Sequence, residues 1–212
     1  MTAKKSMTHS FRYIILVCSC TLFFPYEKSE KLFSSIPSIN YKEWKIIEDG
    51  EIFVGWTTYN NYYWCRSQSI INHPIESVSS ALENYSSYPI VFDRVTQTKE
   101  IDRNIVHVVL NMPYPFADRD YVVEFIKKYT SKFRSIKFCS LEQDMVLNVP
   151  GSVRLINAAG EWYLKDLGDG KTEITYTWNG ELRGNFPTYA LTRAWSTQGM
   201  EVINWLDEYL KL

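Results

Sequence analysis

A stretch near the C-terminus constrains this chain more than any other feature. From Thr188 to Leu210, the residues Leu191, Trp195, Val202, Leu206 and Tyr209 recur on one stripe, with Glu201, Asp207, Glu208 and Lys211 on the other. That is the period of a long amphipathic helix, which must lay its apolar stripe on something. Most of the chain before it is strand-like. Trp44 to Ile47 leads through the turn Glu48-Asp49-Gly50 into Ile52, Val54 and Trp56, which alternate with Phe53, Gly55 and Thr57. Asn60-Asn61 is a second turn, and Tyr62 to Ile71 a third strand. Farther on, Ile105 to Met112 gathers Val106, Val108, Leu110 and Met112 on one face, and Tyr121 to Tyr129 gathers Tyr121, Val123 and Phe125. Ile136 to Leu141, Val153 to Leu164 and Thr172 to Trp178 continue the run, the last with Ile174, Tyr176 and Trp178 on one side and Gly168-Asp169-Gly170 as its hairpin turn.

One helix interrupts the strands. Pro74 sits in its first turn, Ile75, Val78, Ala81, Leu82 and Tyr85 recur at helical spacing, and Tyr88-Pro89 is the expected stop. About seven antiparallel strands, an early helix and a long terminal helix make an α+β domain in which a curved sheet wraps its last helix. A sheet gripping so long a helix cannot close around it completely. The interior volume left over is the candidate site.

Composition narrows the function classes. Of 212 residues 45% are hydrophobic, enough for one substantial core and too many for a disordered chain. The 23 Lys plus Arg are balanced by 24 Asp plus Glu, so the basic excess of a nucleic-acid-binding surface is missing. The 7 Trp, 15 Tyr and 11 Phe exceed what a minimal core of this length needs. Such a surplus either lines a ligand cavity or fills an aromatic-rich β core. Cys65 and Cys139 lie in strand-like runs with no CxxC or His at metal-ligand spacing, which reads as two buried thiols or a disulfide. Neither His73 nor His107 stands beside a Ser or Cys nucleophile in a recognisable motif, and no phosphate loop occurs. No cofactor and no metal are therefore expected, and His107 reads as a surface strand residue.

At the other end Lys4, Lys5 and Arg12 precede an apolar run from Phe11 to Phe24. A basic start before an apolar stretch shorter than the ~20 residues of a membrane span reads as an export signal over residues 1–19, with an uncleaved anchor or a start at Met7 as the alternatives. Val17-Cys18-Ser19-Cys20 resembles a bacterial lipobox, which makes Cys20 the first mature residue and the lipidation site, although Cys18 departs from that pattern. Cleavage there removes the three basic residues and leaves a net charge of −4, so acyl chains would do the anchoring at about 0.8 kcal/mol per buried CH₂. Residues 20–40 read as a tether and 41–212 as the folded domain. The expected location is the bacterial cell envelope, as a lipoprotein facing the periplasm or exterior, or otherwise secreted.

The stretch Met112-Pro113-Tyr114-Pro115-Phe116-Ala117-Asp118-Arg119-Asp120-Tyr121-Val122-Val123 resembles the signature hairpin of START lipid-transfer domains, of the helix-grip superfamily that includes the major birch-pollen allergen. Pro74, Val78 and Leu82 with Tyr88-Pro89 resemble that family's first-helix block. Gly160-Glu161-Trp162 and Thr172 to Trp178 resemble its late hairpin, and Gly184-Asn185-Phe186-Pro187 its entry to the last helix. The likeness covers about Trp44 to Leu210. Physically, Pro113 and Pro115 stop the ladder so that the chain can reverse. Asp118 and Asp120 on either side of Arg119 suit a local ion-pair and Asx-type knot, the alternative being that Arg119 touches a ligand head group.

The resemblance implies a hydrophobic cavity with its mouth between the last helix and the loop near Asn185. It also exposes a departure. Steroid-binding relatives carry an inward basic residue six positions after the motif Arg, paired with an acid on the preceding strand; here Phe125 and, by approximate register, Val106 stand there. Losing both members of a buried pair together is physically coherent and gives a drier pocket suited to acyl chains. The residues expected to face the ligand are Val106, Val108, Leu110, Val123, Phe125, Tyr176 and Trp178 from the sheet. From the last helix they are Leu191, Trp195 and Gly199, where the missing side chain lets a ligand or strand approach. The leading reading is a non-enzymatic carrier or sensor of a lipid or other apolar small molecule, membrane-attached through its N-terminus and binding no nucleic acid. A polyketide-cyclase-type cavity enzyme and a scaffold whose cavity is filled by its own aromatics are the alternatives.

Overall fold

The computed structural model describes residues 31–141 and 146–212. The export signal and Cys20 lie outside the described residues. The described chain runs through β1 (Lys45–Asp49), β2 (Phe53–Tyr59), β3 (Tyr62–Ile71), α1 (Ile75–Glu83), α2 (Tyr88–Val91), β4 (Val95–Asp102) and β5 (Ile105–Leu110). It continues with β6 (Arg119–Tyr129), β7 (Phe133–Ser140), β8 (Val153–Arg154), β9 (Ala159–Gly168), β10 (Lys171–Asn179) and α3 (Leu191–Tyr209). One sheet runs in the order β1-β2-β3-β10-β9-β7-β6-β5-β4, with β8 laid parallel to the start of β6. The α+β helix-grip architecture is the one the strand and helix patterns imply.

Local chemistry explains the reversals. Asn60 and Asn61 take φ of 49° and 65°, the left-handed pair a tight hairpin requires between β2 and β3. Asp169, at φ 50°, does the same between Gly168 and Gly170.

Three boundaries differ from the sequence expectation. Tyr88-Pro89 does not end helical structure, because a proline at N1 or N2 loses no hydrogen bond and the chain makes one further turn as α2. Val153 to Leu164 is two strands, and the first pairs parallel with β6. β4 was not expected: it is an edge strand whose residues are mostly exposed, so it shows no alternation.

Two groups of helices occupy the concave face. Val78 and Leu82 of α1, with Tyr85 and Tyr88, form one core with Val106, Val108, Val123 and Phe125 of β5 and β6 and Ile136, Leu164 and Ile174 of β7, β9 and β10, and the Tyr85 and Phe125 rings stack at 4.3 Å. Farther along, α3 lies over β2, β3 and β10. Trp195 packs with Val54, Cys65 and Trp178, and its Nε1 donates to the Gly180 carbonyl at 2.8 Å. A Cβ on Gly199 would stand 3.0 Å from Val54 Cγ1 and 3.1 Å from Trp178 Cη2, so the glycine admits the sheet.

The convex face is covered too. From residue 31 on, the stretch read as a tether is docked: Leu32 and Ile36 are buried against Trp64, Cys139 and Ala159. Arg66 fastens it by donating to the carbonyls of Pro37, Ser38 and Ile39, with its guanidinium over the Trp44 ring. Burial lowers the Arg66 pKa to about 10, against the field of Glu161. The two cysteines thus sit in separate clusters, Cys65 on the concave face and Cys139 on the convex. Burial pushes the Cys65 thiol pKa well up, so it behaves as a small hydrophobe.

Candidate functional site

Between α3 and the middle of the sheet lies a cavity of about 600 Å³, within the range of ligand pockets. Its floor is aromatic. Trp162 and Tyr176 stack at 4.0 Å between ring centroids, and Tyr176 and Trp178 at 4.9 Å. Gly160 lets Phe138 join them, since a Cβ there would collide with that ring and with the Thr177 carbonyl. The roof is the stripe of α3 carrying Ala194, Gln198, Val202 and Trp205, and the mouth is framed by Phe116, Leu182, Phe186 and Arg193.

Of the residues expected to face a ligand, Leu110, Phe125, Tyr176 and Trp178 line this cavity. Val106, Val108 and Val123 point to the same side of the sheet but are covered by α1 and α2, where they form core. Leu191, Trp195 and Gly199 belong to the α3 stripe that rests on the sheet. The most apolar stripe of the helix is the one that meets β2 and β10, and the cavity takes the neighbouring stripe, about 100° away, whose small and polar members carry a weaker signal. Gln198 and Arg193 were missed for that reason. Asn179 and Glu181, beyond the end of the apolar β10 alternation, left no periodic signal either.

The pocket is not as dry as the missing ion pair suggested. Val106 and Phe125 are buried and apolar, as expected of those positions. Yet Tyr88, Tyr121 and Tyr176 bring phenols to the lining. The Tyr88 hydroxyl donates to the Leu82 carbonyl at 2.7 Å. Burial raises the pKa of all three, so they stand as neutral hydroxyls.

The Asp-Arg-Asp hairpin is split between two faces. Asp118 Oδ1 accepts from the Met112 N–H at 3.0 Å, a bond back across the bend in place of the expected Asx-type turn. Arg119 does not pair with Asp120. Alternation sends it into the mouth, where Nε donates to the Leu182 carbonyl at 2.8 Å, Nη2 to Arg183 at 3.1 Å, and Nη1 to the Ala117 carbonyl. It therefore bolts the hairpin to the loop that enters α3. Asp120 turns to the convex face and receives Arg154 Nε at 2.7 Å, His107 Nε2 at 2.9 Å and Ser152 Oγ at 2.8 Å. Burial works to raise the Asp120 pKa, and these hydrogen bonds outweigh it and hold the pKa low. His107 is accordingly on the outer face yet only 11% exposed, because the 152–155 strap covers it. His73 is likewise engaged, 3.2 Å from Asp207. Among the described residues no group of three His, Cys, Asp or Glu could hold a metal ion, and no helix is long and apolar enough to cross a membrane.

With this geometry in hand, known structures supply the comparison. Human StAR-related lipid transfer protein 5 superposes with a TM-score of 0.76 at 16% identity, covering 88% of this chain and 96% of that one. A STAR-related lipid transfer protein of Xanthomonas axonopodis gives 0.70 at 16% identity, covering 81% of this chain and 100% of the other. The fold is the START fold. Within it the cavity occupies the space between grip and helix. A Streptomyces aromatase/cyclase shares the START architecture more distantly, with a TM-score of 0.50 at 10% identity over 70% of this chain and 93% of its own. No family model matches the chain. An uncharacterized protein of Pseudomonas aeruginosa is 29% identical over 80 residues, which span 38% of this chain and 40% of that protein.

Proposed function

We propose that this START-fold chain binds a lipid or other hydrophobic small molecule in its cavity and carries or senses it without transforming it, in a bacterial cell envelope. The observation that carries the reading is the 600 Å³ hollow with an aromatic floor, which the protein's own side chains do not fill. Lipid-transfer proteins of the same fold, one of them bacterial, support it. Burying ~400 Å² of ligand apolar surface at ~25 cal/mol per Å² gives ~10 kcal/mol gross, and ordering costs reduce this to micromolar affinity. Mass spectrometry of an organic extract of the purified protein tests the reading. A stoichiometric apolar molecule is expected, and an extract without one from protein that also fails to take up added lipid overturns it.

A cyclase-type enzyme is the second reading, favoured by the cavity phenols and by the aromatase/cyclase of like fold. Turnover of an aromatic polyketide would replace the carrier reading with it. Attachment through Cys20 is part of the proposal. Metabolic labelling with a fatty-acid analogue should disappear in Cys20→Ala, and unchanged labelling defeats the anchor.

A further inference from the structure

The cavity lining holds hydrogen-bond donors that lack acceptors. Trp178 Nε1 and Asn179 Nδ2 are buried without a hydrogen-bond partner. The other half of the Asn179 amide is already used, since Oδ1 accepts from the Glu181 N–H at 2.9 Å. What that side chain has left to offer is its NH₂ group. Arg119, 2% exposed, donates to three carbonyl oxygens, which leaves two of its five N–H groups over and no carboxylate paired with its charge. Among the described residues no carboxylate lies within 4.0 Å of Arg119 or of Arg193, the exposed arginine of the first turn of α3. Asp118 acts on Arg119 only through space.

The remaining charges of the lining are matched. Arg94 forms a two-pronged pair with Glu201 at 2.7 and 2.8 Å. Glu181 accepts from Asn157 Nδ2 at 2.6 Å and lies 3.8 Å from Arg183 Nε. The surplus is two guanidinium groups and an amide, with the indole N–H of Trp178 on the floor. Buried donors without acceptors are unfavourable, and an oxyanion is the group that satisfies several at once.

Resting on the proposed cavity-binding function, we infer that the ligand is a single-chain amphiphile with an anionic oxygen head group, carboxylate or phosphate. The head lies at the mouth between Arg119 and Arg193, and the chain runs inward along Trp162 and Tyr176. The cavity volume is that of one drug-sized molecule, which matches a single chain.

Displacement of a cavity-bound fluorescent probe by hexadecanoate, hexadecyl phosphate and 1-hexadecanol tests this in the wild-type protein and in Arg193→Glu. At least one anion should bind about tenfold more tightly than the alcohol, a difference of about 1.4 kcal/mol. Arg193→Glu should weaken that anion about tenfold and leave the alcohol within about twofold. Whichever anion is preferred identifies the head group. Equal binding of all three, or a loss in the variant shared by anion and alcohol, overturns the inference and leaves the cavity reading standing. Binding of none overturns both.

Discussion

The hollow under the sheet has two halves, and they end differently. One half is filled: Leu82 of α1 lies in one core with Val106, Val123, Ile136, Leu164 and Ile174 of β5, β6, β7, β9 and β10, and all six are fully buried. The other half, along Leu110, Tyr121, Phe138, Trp162 and Tyr176 of the same strands, stays open under α3. The sheet is apolar on both sides of this border, so the difference lies in the helices. α1 and the turn after it bring the apolar Val78, Leu82 and Tyr85, which join the core of the sheet. The roof stripe of α3 brings the small or polar Ala194, Thr197 and Gln198 beside Val202 and Trp205, and a hollow remains beneath them. A packed core and a binding site are thus neighbours on one surface, separated by what the covering helices carry.

Substitutions on the two sides should separate core from site. Leu82→Ala opens a cavity in the filled half and should lower unfolding stability by about 3 kcal/mol in urea titration, with ligand affinity unchanged in the folded protein. Asp120→Asn, on the convex face, leaves Arg154 without its buried counter-charge, weakens the hydrogen bond to His107 and should cost about 2–3 kcal/mol. It should also loosen the strap that carries Leu155 to the cavity wall. Because the folded pKa of Asp120 is depressed, its contribution is complete above the unfolded carboxylate value of about 3.9 and is lost as pH falls through the lower folded value. The variant should therefore show a shallower acid limb in its stability profile.

In the open half the order reverses. Ala194→Trp fills the roof and should weaken ligand binding by at least about tenfold, measured by probe displacement, while stability changes by less than about 1 kcal/mol. Smallest of all, Leu110→Ala enlarges a space that already exists and should cost about 1 kcal/mol in the same urea titration.

Much of the fold was legible because hairpin turns and alternation are local. Asn60-Asn61, Gly168-Asp169-Gly170 and the faces of β5, β6 and β10 read directly. The edge strand β4 did not, since a strand with one side in water and few buried residues loses its period. The site was half legible for a related reason. Apolar periodicity marks what is buried, and Val106, Val108, Val123 and Trp195 are buried against protein, with Leu191 partly so. A cavity wall can use residues that a core avoids, such as Gln198 and Asn179, and these have no periodic signature. Two of the three partners of Arg119 were out of reach as well, because they are backbone carbonyls brought in by a loop more than sixty residues away.

The account stands on a ligand lying against the open half, and the seven tryptophans are built-in probes of it. Trp162, Trp178 and Trp205 line the cavity, whereas Trp64 is buried on the opposite face of the sheet. Fluorescence quenching by a dibrominated C16 acid and by its alcohol should be largely lost in the triple variant Trp162→Phe/Trp178→Phe/Trp205→Phe and retained in Trp64→Phe. Quenching that survives the triple variant and disappears with Trp64 would place the ligand outside the grip and contradict the account.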